Sequence, residues 1–252
     1  MKQSNGYERI GDYYDSFADN GDLPFYIEWA KKSGSPILDV AAGTCRVSII
    51  LAKAGFDVIA LEKSHSMMNT ASKKINSLPS EVAKRIELVE GDMTEFSLER
   101  RFPLIVIPTS FGHALTTDAQ MNTLRCIRNH LTNDGIFILD LYPGAIQNEW
   151  ARFEEGPKTL YDGRSVSRKG ELKTDFIRQI MHVNLEYHVT HTDDTLEKIN
   201  VTSNVAIIYN READLLLRLS GLSAIHEFGS FESTPYDFES SRRILILKKS
   251  ES

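Results

Sequence analysis

Apolar residues recur along this chain with two different periods, and the change from one to the other divides it. Up to about residue 149, short continuous apolar runs alternate with stretches of helical spacing. Ile37–Val40, broken only by Asp39, residues 57–61 ending on Glu62, residues 85–90, residues 104–108 and residues 136–142 read as strands of a mostly parallel sheet, with 104–108 buried on both faces. Between them, Val47, Ile50 and Leu51 recur at helical spacing until Gly55 supplies a stop, and Met68, Ala71, Ile75 and Leu78 share one face. Met121, Leu124, Ile127 or Arg128, and Leu131 do the same. Asp22, Thr44, and Ser64 or Ser66 stand where N-caps belong, and Asn133-Asp-Gly135 reads as a turn.

From roughly residue 150 to 209 the period becomes two. Val183, Leu185, Tyr187 and Val189 fall on one face of a strand, and Ile199, Val201, Val205, Ile207 and Tyr209 on that of a partner joined to it near Asp193-Asp194. Two half-buried antiparallel strands are predicted, as a meander over the edge where substrate enters. A helix over 211–222 and strands at 224–228 and 243–247 then complete the sheet. The segment from Gly6 to Phe17, aromatic and polar without sheet alternation, reads as a small helical lid.

Charge narrows the partners. The 252 residues carry 29 Lys plus Arg against 35 Asp plus Glu, a formal −6 with no basic block, so nucleic acid is not an expected partner. Two cysteines, Cys45 and Cys126, without a Cys-x-x-Cys spacing, indicate neither a disulfide framework nor a structural zinc site. No apolar run reaches about 18 residues and no signal peptide is read, so the expected compartment is the cytoplasm, with no membrane partner.

The chemistry is concentrated in residues 36–55, a strand, a small-residue turn and a helix. Ala41-Ala42-Gly43 allows a ligand close to the backbone, and the helix amino end favours a nucleotide. It is not a dinucleotide fingerprint, because Arg46 stands where a packing Gly or Ala belongs, and no Walker loop occurs. Glu62 lies 19 positions beyond Gly43, close to the ~20 at which an acid on the second strand meets ribose hydroxyls. Met67 could lie against a flat ring. His182, His188 and His191 have no matching carboxylate spacing, so no metal site is expected, and His65 and His130 read as surface residues.

The pattern Asp39-x-Ala41-x-Gly43-x-Cys45 resembles the class I S-adenosylmethionine-dependent methyltransferases, whose usual form is Asp/Glu-x-Gly-x-Gly-x-Gly; only the middle glycine is kept. The resemblance implies an α/β fold: a doubly wound, mostly parallel, seven-stranded Rossmann-like sheet with an antiparallel β insertion after the fifth strand. On that reading residues 1–149 form the cofactor-binding core with its lid, 150–209 the insertion over the substrate, and 210–252 the end of the core. It also implies cofactor contacts from Asp39, Ala41, Ala42 and Gly43, from Asp92 and Met93 to adenine, from Thr109 beyond the fourth strand, and from Tyr14 in the lid's Tyr14-Asp15 pair. Pro108-Thr-Ser-Phe111 is not the Asn/Asp-Pro-Pro-Tyr of base-modifying members.

The whole layout is similar to the small-molecule branch, which includes amino-sugar N-methyltransferases and glycine N-methyltransferase-like enzymes. The expected cofactor is then S-adenosyl-L-methionine, the product S-adenosyl-L-homocysteine, and the acceptor a small molecule, with nitrogen ahead of oxygen. His113 is the candidate proton acceptor and Tyr14 the candidate substrate-orienting residue. A protein or RNA substrate, and a non-catalytic binder of the same cofactor, stay open as alternatives. The sequence names neither the acceptor nor the oligomeric state.

Overall fold

The computed structural model describes residues 4–142 and 148–250, so residues 1–3, 143–147 and 251–252 of the expected domain ranges lie outside the described residues. The chain opens with a short strand, β1 (Ser4–Asn5), the helical turn α1 (Gly11–Tyr14), a 3-10 turn at Asp15–Phe17, and helix α2 (Leu23–Ser33). Then come β2 (Ile37–Val40), α3 (Arg46–Lys53), β3 (Val58–Glu62), α4 (His65–Asn76), α5 (Ser80–Ala83), β4 (Ile86–Glu90) and β5 (Phe102–Ile107). A 3-10 turn at Phe111–His113 leads to α6 (Thr117–His130) and β6 (Leu131–Leu141). The insertion is β7 (Trp150–Thr159), β8 (Ser165–Asp175), β9 (Ile180–Thr190) and β10 (Leu196–Ala206), and α7 (Asn210–Ser220), β11 (Leu222–Phe228) and β12 (Arg243–Lys249) follow.

Seven strands form one sheet in the order β11-β12-β6-β5-β2-β3-β4, and β12 alone runs against the direction of the other six. The expected doubly wound sheet is what the chain adopts. Successive residues of each central strand face opposite layers: Leu104, Val106, Ile136 and Ile138 pack with Phe25, Tyr26 and Trp29 of α2 and with Val47 and Leu51 of α3. Ile105, Ile107, Phe137 and Leu139 pack instead with Leu124 and Ile127 of α6 and Leu216 and Leu217 of α7. Strand order reverses at β2, which pairs with β3 on one side and β5 on the other, so the sheet's carboxyl edge opens a crevice at that point.

The insertion forms a second sheet, ordered β1-β10-β9-β8-β7. It holds four long strands where alternation predicted two. Tyr187 opposes Ile199 and Leu185 opposes Val201, as their shared period requires. β7 and β8 escaped notice because β7 is largely exposed on both faces and β8 buries only Val166, Gly170 and Thr174, so neither carries a sustained apolar stripe. Val166, Tyr187, Val189, Ile199 and Val201 pack against Ile10 and Tyr13 of the lid and Met67 of α4, and this cluster seats the second sheet over the first. No helix among the described residues is long and apolar enough to cross a membrane.

Several local expectations need correction. Asp22 precedes α2, yet its side chain caps nothing; both its oxygens accept from the Arg46 guanidinium at 2.5 and 2.6 Å. A buried bidentate ion pair outweighs a single capping bond. Thr44 does not cap α3 either, since Cys45 occupies the N-cap position and Thr44 donates its hydroxyl to Asp15. Ser64 does cap α4, accepting from the Met67 N–H. Asn133-Asp-Gly135 is not a separate turn but part of a wide irregularity inside β6, between the pairs Phe102/Leu131 and Leu104/Ile136. Leu222 begins β11 rather than ending α7. His130, read as a surface residue, is buried: its Nδ1 donates to the Cys126 carbonyl at 2.7 Å, its Nε2 accepts from the Leu98 N–H at 2.8 Å, and its ring lies on Phe96.

Candidate active site

A cavity of about 760 Å³ lies between the carboxyl edge of the seven-stranded sheet and the underside of the insertion. Each wall has a different source: Ala41 after β2, Glu62 to Ser64 at the tip of β3, residues 91–94 after β4, Thr109, Ser110 and His113 after β5, Tyr7, Glu8 and Tyr14 from the lid, and residues 202–204 of β10. Of the residues singled out from sequence, Tyr14, Ala41, Glu62, Met67, Asp92, Met93, Thr109 and His113 stand in this wall. Asp39, Ala42 and Gly43 do not, and the hydrogen bonds around them show why.

The loop after β2 takes an unusual path. Ala41, Gly43 and Cys45 have φ of 55°, 58° and 61°, and Thr109 across the crevice has 54°. Left-handed backbone at non-glycine residues is uncommon and clusters at functional sites, where surrounding contacts hold it. Here the holding group is Glu62. Its Oε2 accepts the Gly43 N–H at 2.8 Å and its Oε1 accepts the Ser64 N–H at 2.8 Å, while the residue is only 8% exposed. One N–H per oxygen fixes the carboxylate and leaves each oxygen a lone pair for hydroxyl donors. Gly43 spends its N–H on this contact, and nothing comes within 4 Å of where a Cβ there would sit, so the peptide planes remain open. Cys45, in the third glycine slot, turns its side chain away from the cavity into a cluster with Ile49, Ala60, Ala71 and Ile75.

Asp39 lies beneath the loop, almost fully buried, with Oδ2 accepting the Ser48 hydroxyl at 2.6 Å and Oδ1 unpartnered among the described residues. Burial lifts its carboxyl to about 7, against the pull of Ser48 and Arg46. A raised native pKa favours the protonated native form, so the stability Asp39 contributes is present below its unfolded value and lost as pH rises through about 7. Asp39→Asn, which mimics the neutral acid, is therefore expected to stabilise the protein at pH 8 by about 1–3 kcal/mol. That gain shrinks toward pH 5. Urea titrations at the two pH values check it; an equal gain at both would show that ionisation of Asp39 is not the cause.

The lid is pinned to this loop by charge. Asp15 accepts from Thr44 Oγ1 at 2.6 Å and from Lys74 Nζ at 2.6 Å, and Lys74 also donates to the Thr44 carbonyl. Glu8 accepts from the Ser64 hydroxyl and the Ser66 N–H. Tyr14 then sets its ring edge-on to Tyr7, 5.6 Å between centroids, and burial raises its phenol. On the β4 side, burial works to raise the Asp92 carboxyl, but the Thr94 N–H and hydroxyl and the Lys63 ammonium, 2.9 Å away, outweigh it. Asp92 is thus held below the usual carboxylate range.

His113 occupies the opposite end. Its Nε2 lies 3.1 Å from the Tyr7 hydroxyl, with the rings edge to face at 5.3 Å. Burial pulls the ring below its ordinary 6.5; a main-chain hydrogen bond at Asn204 opposes this, and the Lys63 charge adds to it. A main-chain bond that favours the charged ring is one the ring donates, so we assign the neutral ring's proton to Nδ1. Nε2 is then the acceptor. Tyr7, whose phenol burial also raises, donates to it and is itself bonded to the Ser203 side chain. Sequence reasoning passed over Tyr7 and Ser203. The first sat in the aromatic segment already marked as a lid, and the second falls between Val201 and Val205 on the inward face that a period of two defines.

Along the sheet edge the cavity therefore presents the main chain after β2, then the buried acid Glu62 with a lone pair left on each oxygen, then the second acid Asp92 after β4. Residues 37–135, which carry Ala41, Glu62, Asp92, Thr109 and His113, match the family described as Methyltransferase domain. The chain is 25% identical over 230 residues to the glycine/sarcosine N-methyltransferase of Aphanothece halophytica, covering 89% of this chain and 80% of that one. It is 26% identical over 187 residues to the dTDP-3-amino-3,4,6-trideoxy-alpha-D-glucopyranose N,N-dimethyltransferase of Streptomyces venezuelae, covering 73% of each. In fold it is similar to the CcbJ methyltransferase from Streptomyces caelestis, with a TM-score of 0.80 over 97% of both chains at 20% identity. The matched methyltransferase domain spans the sheet's ligand edge, with the acid on the second strand facing the cavity, and over most of its length the chain is similar to S-adenosylmethionine-dependent methyltransferases.

Proposed function

We propose that the protein methylates an amine nitrogen of a small molecule. When bound, S-adenosylmethionine supplies a methyl carbon on a sulfonium, which an amine lone pair displaces while the C–S electron pair returns to sulfur. Glu62 holds the ribose hydroxyls, Asp92 takes the adenine amino group, and the main chain at Ala41, the part of the loop that reaches the cavity wall, lies against the amino-acid tail. The acceptor enters between His113 and the lid. Most of the catalytic gain in such a displacement comes from alignment, which a roofed cavity provides.

The observation that carries an acceptor which sheds a proton is the imidazole of His113, its pKa lowered by burial and its ring facing the cavity; nitrogen is placed ahead of oxygen by the relatives. An amine sheds one proton around the transfer, and a neutral imidazole at physiological pH is ready to take it. Both named relatives act on amines, which supports the same reading here. The roof of β10 and the lid favour a small acceptor over a polymer that would need an open cleft. The test is incubation of the full chain with methyl-labelled S-adenosylmethionine and a set of primary amines. Label in an N-methyl product, with one S-adenosylhomocysteine formed per transfer, is expected; label confined to ether or ester products would replace the nitrogen assignment.

A further inference from the structure

The charges in the cavity wall are distributed unevenly, and this bears on the acceptor. Three carboxyl side chains, Glu8, Glu62 and Asp92, face one ammonium, Lys63, among the described wall residues. Lys63 is 70% exposed and committed to Asp92 at 2.9 Å. Apart from His113, the wall supplied by the β5 loop, the start of α6 and β10 consists of threonines, serines, Leu115, Ala119 and Asn204, none of them cationic. The amino end of α6 borders this region, but its Thr116 side chain already accepts the Ala119 N–H and Asp118 sits in its first turn, so its positive end is compensated.

A phosphate or carboxylate placed here would leave water without a cation to meet it, and a buried unpaired charge is costly. An amine has the opposite sign. It needs no cation from the wall, and it loses its proton next to His113. Hydroxyls and main-chain carbonyls at that end can pair with hydroxyls on the acceptor.

Resting on the amine reading above, we propose that the acceptor is a neutral hydroxylated amine, such as an amino sugar in glycosidic linkage or an aminocyclitol, carrying neither a phosphate nor a carboxylate. The chain would then differ in acceptor charge from relatives named for glycine and for a nucleotide-linked sugar. The wall selects against the anion as much as for the polyol.

The full chain is assayed with three probes: methyl glycosides of 3- and 4-amino-deoxyhexoses, the same sugars linked to thymidine diphosphate, and glycine. S-adenosylhomocysteine binding is measured by calorimetry alongside. The expected result is a kcat/KM for the methyl glycosides about thirtyfold or more above that of either anionic probe. In Leu115→Lys, which adds an ammonium at an exposed rim position, the ratio should fall about tenfold. Equal or better turnover of the anionic probes by the wild type overturns the acceptor class and leaves N-methylation standing. S-adenosylhomocysteine binding with no methylated amine from any probe overturns both.

Discussion

Glu62→Ala weakens S-adenosylhomocysteine binding by about 1.5–3 kcal/mol, roughly ten- to a hundredfold or more, when titrated by calorimetry. Two losses combine. The ribose hydroxyls lose an ionised acceptor, and the N–H groups of Gly43 and Ser64 lose the oxygens that hold them at 2.8 Å. The second loss releases a loop in which Ala41 and Cys45 are kept at φ of 55° and 61°. Glu62→Gln separates this arrangement from a simple charge effect. Because each oxygen accepts from a main-chain N–H, an amide nitrogen in either place opposes donor to donor, so Gln should lose nearly as much as Ala. If Gln binds like wild type, the carboxylate neither organises the loop nor meets the ribose. Wild-type affinity in both variants would remove Glu62 from the site.

That assignment shows what was legible in the sequence and on what terms. The strand, small-residue turn and helix around Ala41 to Gly43, and the spacing to Glu62, are local quantities that the chain displays directly. Leucine and isoleucine runs gave the parallel strands because both faces of the sheet are covered. What stayed hidden depends on contacts across long separations. Asp22 and Thr44 have the right residue types and positions to cap helices, yet Arg46 and Asp15 compete for their side chains in the folded state. Lys74, 59 residues from Asp15, completes that lid contact and leaves no trace in a helical pattern. His130 belongs to a polar side of its helix by composition, but the main chain at Leu98 supplies the donor that lets it be buried. β7 and β8 owe their register to neighbouring strands, with Phe153 lying over Gly170 where any Cβ would collide with its ring. Tyr7 and Ser203 meet His113 only because the lid and β10 both close over it.

His113→Asn lowers kcat by about 10²–10⁴-fold while S-adenosylhomocysteine binds with little change, since the ring touches the acceptor end of the cavity and not the ribose or adenine contacts. The pH profile carries the sharper test. The functional form is the neutral ring, and burial holds its pKa below 6.5, so wild-type kcat rises with pH through an inflection under that value and is level above it. The Asn variant should lose the inflection along with the rate. Tyr7→Phe keeps the imidazole but removes the phenol that donates to Nε2. A bond donated to Nε2 favours the neutral ring, so its loss moves the inflection upward, and the rate at pH 6 falls by more than the rate at pH 8. An unshifted inflection in Tyr7→Phe would place the titrating group elsewhere. A profile in His113→Asn with the wild-type shape, merely scaled down, would assign the residue to positioning the acceptor rather than to accepting its proton. The contact at 3.1 Å predicts neither, because it joins a buried phenol that stays protonated to the imidazole nitrogen whose lone pair the acceptor's proton takes over from it.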